Sequence, residues 1–289
     1  MARTETGPGS LRRTIPLVVV LAVAVAGCTS SRSSKPTAEI DPSPASQANI
    51  ASLTAVVNQD PSDASGYNVR GTAYGKAGKL NEALADFDKA IKINPSFYQA
   101  YANRALVYRR KGKDDLAFAD YNRALQINPS YDVAYVGRGN IYRQRGRYNE
   151  ALADYNRAIE LDSPDPRAYH NRGLVYQAMG QNSQAITDFT TAISRAPTAI
   201  EPYNARGLSY LAMSDYKAAL DDFNEVVKRN RNSYEGWTGQ ALALEKLGEY
   251  QKAYAAFARA ASLNPKYQPA KDGMNRLAQY RDQPPVNQG

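Results

Sequence analysis

Between residues 64 and 267 the hydrophobic and polar positions repeat every 34 residues without a gap. The frame is plain in Tyr101-Ala102-Asn103-Arg104, Tyr135-Val136-Gly137-Arg138 and Tyr169-His170-Asn171-Arg172, and it gives six units starting at Ala64, Tyr98, Asp132, Pro166, Ile200 and Tyr234. Position 8 of each unit is small (Gly71, Ala105, Gly139, Gly173, Gly207, Ala241), and so is position 20 (Ala83, Ala117, Ala151, Ala185, Ala219, Ala253). Position 4 is aromatic in every unit, from Tyr67 to Trp237, and position 24 is Phe or Tyr (Phe87, Tyr121, Tyr155, Phe189, Phe223, Phe257). Large side chains therefore face small ones across two closely packed helices per unit. Gly78, Gly112, Gly146, Gly180 and Gly248 fall between those helices, where a left-handed cap residue is wanted. Pro95, Pro129, Pro197 and Pro265 close the second helix. Unit three displaces its proline (Ser163, Pro164), and unit five carries Ser214, Val226 and Arg231 at three consensus positions, which predicts a loosened turn there.

Stacked units need capped ends. Before the array, Ile50, Leu53 and Val57 share one helical face and Pro61 stands 34 residues ahead of Pro95, so residues 46–63 read as half a unit. After it, Pro269 opens a helix presenting Ala270, Met274 and Leu277, and residues 268–282 read as a cap before a disordered tail at 283–289. The pattern predicts an all-α chain of about fourteen helices and no strands.

The small, aromatic and proline positions resemble the tetratricopeptide (TPR) pattern, and residues 64–267 then make a TPR solenoid of six helix-turn-helix repeats with N- and C-terminal capping helices. Twelve of the 21 tyrosines occupy positions 4, 11 or 24, so the aromatic excess is mostly packing. Position 7 is Arg in the first five units (Arg70, Arg104, Arg138, Arg172, Arg206) and position 23 is Asp in the same five (Asp86, Asp120, Asp154, Asp188, Asp222). Unit six has Gln240 and Ala256, so both partners vanish together, which points to an ion pair between the helices of each unit.

The first residues read differently. Arg3, Arg12 and Arg13 precede an apolar run from Ile15 to Ala26 that is too short to span a bilayer. It ends in Val25-Ala26-Gly27-Cys28, which resembles the lipobox of bacterial lipoproteins. The resemblance implies a signal peptide over residues 1–27 and acyl chains on Cys28, the only cysteine of the chain. Each buried methylene of such chains contributes roughly 0.8 kcal/mol of anchoring. Without residues 1–27 the chain keeps 33 basic and 27 acidic residues, a net charge of +6. Residues 28–45, rich in Ser and Pro, read as a disordered tether. Thr29 after the lipidated Cys implies the outer membrane, facing the periplasm, or the outer face of the plasma membrane in a single-membrane bacterium.

One His, no second Cys and no glycine-rich phosphate loop leave no catalytic constellation, metal site or cofactor site to assign, and the chain reads as a non-enzyme. In TPR proteins the inner groove is lined mainly by positions 2, 5, 9, 12 and 13 of each first helix. By register this puts Lys76, Arg109, Arg110, Asn140, Arg143 and Gln144 in the early groove and Leu174, Gln177, Leu208, Leu211 and Leu242 in the later groove, with Asn103, His170 and Asn171 completing the candidate set. The groove should pass from basic to apolar. A clamp for a partner's C-terminal carboxylate, known in the family and built from Lys, Asn, Asn, Lys and Arg, is nearest matched by Val136, Asn140, Asn171, Glu201 and Ala205, which lacks the cations.

The layout resembles envelope lipoproteins that serve as adaptors for periplasmic proteases and cell-wall hydrolases, and implies a membrane-anchored scaffold whose groove binds partner proteins. Two alternatives stand beside it: an assembly lipoprotein for pili or outer-membrane proteins, and a binder of anionic glycan or lipopolysaccharide through the basic patch. Export argues against nucleic acid as a partner.

Overall fold

The computed structural model describes residues 45–161 and 165–281. The signal region, Cys28, nearly all of the tether, the displaced proline of repeat three and the tail lie outside the described residues.

Half-repeat α1 (Gln47–Gln59) precedes six helix pairs: α2 (Ala64–Lys76) with α3 (Leu80–Ile93), α4 (Tyr98–Arg110) with α5 (Asp114–Ile127), α6 (Asp132–Gln144) with α7 (Tyr148–Glu160), α8 (Pro166–Ala178) with α9 (Asn182–Arg195), α10 (Glu201–Ala212) with α11 (Tyr216–Arg229), and α12 (Tyr234–Lys246) with α13 (Tyr250–Leu263). The chain ends its described part in α14 (Gln268–Arg276) and a 3₁₀ turn, Ala278–Tyr280. No strand occurs among the described residues. The expected cap at 268–282 is thus a shorter helix plus a turn, which buries Leu277 and stacks Tyr280 on Tyr250 with ring centroids 4.6 Å apart.

Each first helix packs against its own second helix, against the preceding second helix, and against the first helices of neighbouring repeats, whereas the backbones of no two second helices come close to one another among the described residues. The first helices therefore line the inner face of the stack. The core is built as the repeat pattern requires, with every position-20 alanine fully buried and the position-24 rings sealed from solvent. A methyl group on Gly71 would lie 2.9 Å from the Phe87 ring, and one on Gly173 2.7 Å from Phe189, so only glycine lets these helices approach so closely.

The ring also leans onto the next repeat, both where position 8 is Ala and where it is Gly, as Phe223 does on Gly239. Beside Ala105, the Tyr121 ring lies where a methyl on Gly137 would meet it at 2.3 Å, and beyond Ala241 the Phe257 ring lies 2.5 Å from a methyl on Gly273. Small residues at position 8 of one repeat and position 6 of the next thus share one job. Gly137→Ala is expected to lower stability by about 1–3 kcal/mol, the usual cost of an overpacked core. Adding Ala105→Gly should recover part of that loss in chemical denaturation, because the ring can then retreat.

The loosened turn expected in repeat five is not found. Ser214 adopts φ 62°, in the left-handed region occupied by the glycines of the other turns. It closes the same contacts: Ser214 N–H donates to Leu211 O at 3.0 Å and Asp215 N–H to Tyr210 O at 2.9 Å, as Gly180 and Gln181 do in repeat four. The turn is kept and the cost appears as backbone strain. A left-handed residue with a Cβ costs roughly 1–2 kcal/mol, part of which glycine returns through its freer unfolded chain. Ser214→Gly should therefore raise stability by about 0.5–1 kcal/mol, read from the urea midpoint. Arg231 is equally harmless, since Asn230 builds the turn: its Oδ1 accepts the Asn232 N–H at 3.0 Å, as Asn94 does for Ser96. Val226 is buried against Gly236, where a methyl would come within 2.5 Å.

Candidate functional site

The predicted ion pairs are present in all five repeats that carry them. Each position-7 guanidinium makes a two-pronged contact, with Nε donating to one carboxylate oxygen at 2.7–2.9 Å and Nη2 to the other at 2.7 Å. The aspartates are buried, and the paired carboxylate raises the Arg70, Arg138, Arg172 and Arg206 pKa values further above their usual range. Tyrosines at positions 4 and 11 flank each guanidinium at 5.5–6.0 Å. The pattern of positions did not reveal that Nη1 also reaches back to position 25 of the preceding repeat: Asp88 from Arg104, Asn122 from Arg138, Asn156 from Arg172 and Thr190 from Arg206. Gln240 keeps this last contact alone, donating to Asn224 at 2.7 Å. These charges build the stack and are used up in doing so.

The inner face is different. Of the candidate residues, Lys76, Arg110, Gln144 and Leu208 are exposed, and Asn103, Arg109, Asn140, Arg143, His170, Asn171, Leu174, Gln177, Leu211 and Leu242 are half-buried. Some of them hold the stack together. Asn103 donates to Asn68 Oδ1 at 2.9 Å, Arg110 to Gly75 O at 2.8 Å, and Gln177 to both Ala205 O and Ser209 Oγ at 2.9 Å. Leu211 and Leu242 lean on the apolar cores of their repeats.

Arg109 and Arg143 stand apart. Among the described residues neither takes part in a salt bridge, and each reaches the phenol of the position-24 tyrosine in its own repeat, Tyr121 and Tyr155. The Tyr155 hydroxyl, pushed up to about 12 by burial, donates to Asn140 Oδ1 at 2.8 Å. Arg at position 12 and Tyr at position 24 occur together in repeats two and three and in no other repeat, a coincidence in the sequence that announces this contact.

Three buried side-chain nitrogens among the described residues have no hydrogen-bond partner: Arg109 Nε, Arg143 Nε and His170 Nδ1. All three belong to groove positions of successive repeats. Beyond them, a cavity of about 370 Å³ opens between α8 and α10, lined by His170, Leu174, Gln177, Asn204 and Leu208 among others, with the exposed carboxylates of Glu201 and Glu235 beside it. The groove therefore runs from basic through apolar to acidic, and the acidic end, at position 2 of the last two repeats, is an addition to the basic-to-apolar reading.

Burial lowers the His170 pKa below its ordinary 6.5 despite the Glu201 carboxylate, with Arg143 adding to the shift. A group with a lowered basic pKa contributes stability that is present above the unfolded value and lost as pH falls through the folded value. The acid limb of the stability profile below pH 6.5 should flatten in His170→Leu, measured by thermal unfolding across that range. Among the described residues no three His, Cys, Asp or Glu side chains come together to hold a metal, and no helix is long and apolar enough to cross a membrane.

Family models of the tetratricopeptide repeat match residues 68–132 and 204–267, and further models of the same repeat match 139–180 and 166–198. The chain is a tetratricopeptide repeat protein. No curated protein sequence matches it. Among solved structures, this TPR protein superposes on the Cut9–Hcn1 hetero-tetramer of the APC/C with TM-score 0.70 and 21% identity, over 78% of its own length and 45% of that chain. It matches PilW, a type IV pilus biogenesis factor, with TM-score 0.66 and 18% identity over 72% and 97% of the two chains. It matches YrrB, a TPR protein with an unusual peptide-binding site, with TM-score 0.56 and 21% identity over 65% and 97%. These likenesses establish the fold.

Proposed function

We propose that this TPR protein is an adaptor anchored to the membrane through Cys28, which holds extended segments of partner proteins in the groove of its first helices on the periplasmic side of the bacterial envelope. The observation that carries the reading is the set of three unpartnered nitrogens, Arg109 Nε, Arg143 Nε and His170 Nδ1, all buried beneath the first helices that line the groove. Buried polar groups in folded proteins are almost always satisfied, and leaving one unpaired costs about 1–3 kcal/mol, so a row of them along a groove is what a ligand completes. A periplasmic protease or a cell-wall hydrolase is the partner class that the anchor and repeat layout suit.

Photo-cross-linking in intact cells tests this. A photoreactive residue at Leu208, in the groove, should capture protein, and one at Lys92, on a second helix, should not. Recovery of lipids and glycans alone from Leu208 removes the adaptor reading. The anchor is tested separately, since Cys28→Ser should move the chain out of the membrane fraction and abolish labelling by a clickable palmitate analogue.

A second reading, assembly of pili or outer-membrane proteins, draws support from the likeness to PilW, which is covered over 97% of its length. Cross-linked pilus or outer-membrane subunits in place of an enzyme would select it.

A further inference from the structure

We infer that the groove recognises a bipartite extended segment, with one carboxylate bound between repeats two and three and one apolar side chain seated between repeats four and five. The inference rests on the groove reading above and specifies its ligand.

The carboxylate site is argued from charge that the fold leaves unused. Position-7 arginines are all consumed by buried aspartates, whereas Arg109 and Arg143 face only the phenols of Tyr121 and Tyr155 and keep a desolvated Nε. Both guanidiniums act on the Tyr155 hydroxyl, so they converge on one stretch of groove. A guanidinium whose charge no carboxylate of the fold balances is matched by a carboxylate of a ligand. Neighbouring polar groups are already spoken for: Asn140 Oδ1 accepts from Tyr155, and Arg110 is tied to Gly75 O. The vacant donors are thus the two arginines, and they call for an acid.

The apolar site is the cavity of about 370 Å³ whose walls include Leu174 and Leu208, large enough for an aliphatic or aromatic side chain. Leu208 is 43% exposed, a large apolar side chain open at the cavity wall. His170 lines that cavity and feels both Arg143 and Glu201, which places it at the border of the two sites. Glu201 and Glu235 then set the direction, because a second acid next to the apolar residue would be repelled. A polyanion spread over the whole groove suffers the same repulsion, which favours a mixed protein segment over an anionic glycan.

The spacing follows from the stack. Packed helices lie about 8–10 Å apart, so two sites offset by two repeats are roughly 16–20 Å apart. An extended chain advancing about 3.3 Å per residue covers that in about five or six residues.

The test uses the purified full chain and fluorescein-labelled Gly/Ser peptides that carry one Glu and one Leu at separations of two to eight residues, read by fluorescence anisotropy. Binding should peak near five or six residues of separation. Replacing Glu by Gln, or Leu by Ser, in the peptide should weaken it at least tenfold, and placing Asp beside the Leu should weaken it too. Arg109→Gln with Arg143→Gln should erase the preference for Glu over Gln while keeping that for Leu over Ser, and Leu208→Ser should do the reverse. The peptide-side changes leave the protein untouched, so a folding defect in a variant does not blunt the test. Equal binding of Glu and Gln peptides, indifference to the Leu, tighter binding of heparin than of any peptide, or no saturable binding at all overturns the inference. Protein adducts at Leu208 in cells would still uphold the groove in each of those cases, and their absence would remove the groove itself.

Discussion

Asp154→Ala is expected to destabilise the chain by about 3–5 kcal/mol, while Asp154→Ala combined with Arg138→Ala should cost clearly less than the sum of the two single changes. Asp154 is buried at 5% exposure and both its oxygens accept from Arg138 at 2.7–2.8 Å. Removing it strands a guanidinium that also sits between Tyr135 and Tyr142 and whose side chain is only 21% exposed. Removing both groups leaves a cavity but no unpaired charge, and that difference is what the double-mutant cycle reads. The Arg138 pair is the cleanest choice because its third contact, Asn122, is neutral. Arg104 is additionally bridged to Asp88 at 2.6 Å, so a cycle on Arg104 and Asp120 mixes two ion pairs. Urea unfolding provides the measurement, and additive single effects would refute the coupling. Because repeats touch only their neighbours, hydrogen exchange should accelerate first in α6 and α7.

The same geometry explains why the sixth repeat can do without the pair. In repeats two to five the position-7 Arg joins three helices, its own two and the second helix of the repeat before it. Gln240 retains only the backward link, to Asn224, and the forward side of repeat six is closed instead by α14, where Arg276 pairs with Glu245 at 2.6 Å and Gly273 receives the Phe257 ring. Loss of Arg and Asp together thus falls at the repeat that the capping helix follows.

A strict 34-residue period made the helix pairs, their small-against-large packing and the Arg–Asp pairs legible before any coordinates, because each depends on contacts inside one repeat. What stayed hidden lies between repeats. The reach of Nη1 to position 25 of the preceding repeat, and the leaning of Tyr121 onto Gly137, follow from how far one repeat rotates on the next. Ser214 was misjudged for a different reason: a left-handed turn held on both sides by packed helices tolerates a strained residue where an isolated turn would relax. In the groove, register alone located Arg109, Arg143 and His170, yet it gave all the cations equal standing. Only the contacts separate Arg110, spent on Gly75 O, from Arg109 and Arg143, which reach phenols and no carboxylate among the described residues.

That separation decides the sharpest functional variant. Arg109→Glu with Arg143→Glu should abolish capture of the native partner in pull-downs, a loss of at least 100-fold, with little change in thermal stability. Losing one member of a desolvated charge pair at an interface costs about 2–5 kcal/mol, and reversal adds repulsion at both positions. The stability change should be small because, among the described residues, neither arginine takes part in an ion pair, each gives up only its contact with the phenol of Tyr121 or Tyr155, and helices α4 and α6 keep all position-7 contacts. Arg110→Glu is the contrasting control: it breaks the bond to Gly75 O, which links the first two repeats, and should lower stability while leaving the position-12 cations in place. A double variant that folds like the parent and still captures the partner at parental yield would show that the inner face is not where this protein binds, and would turn attention to the second helices.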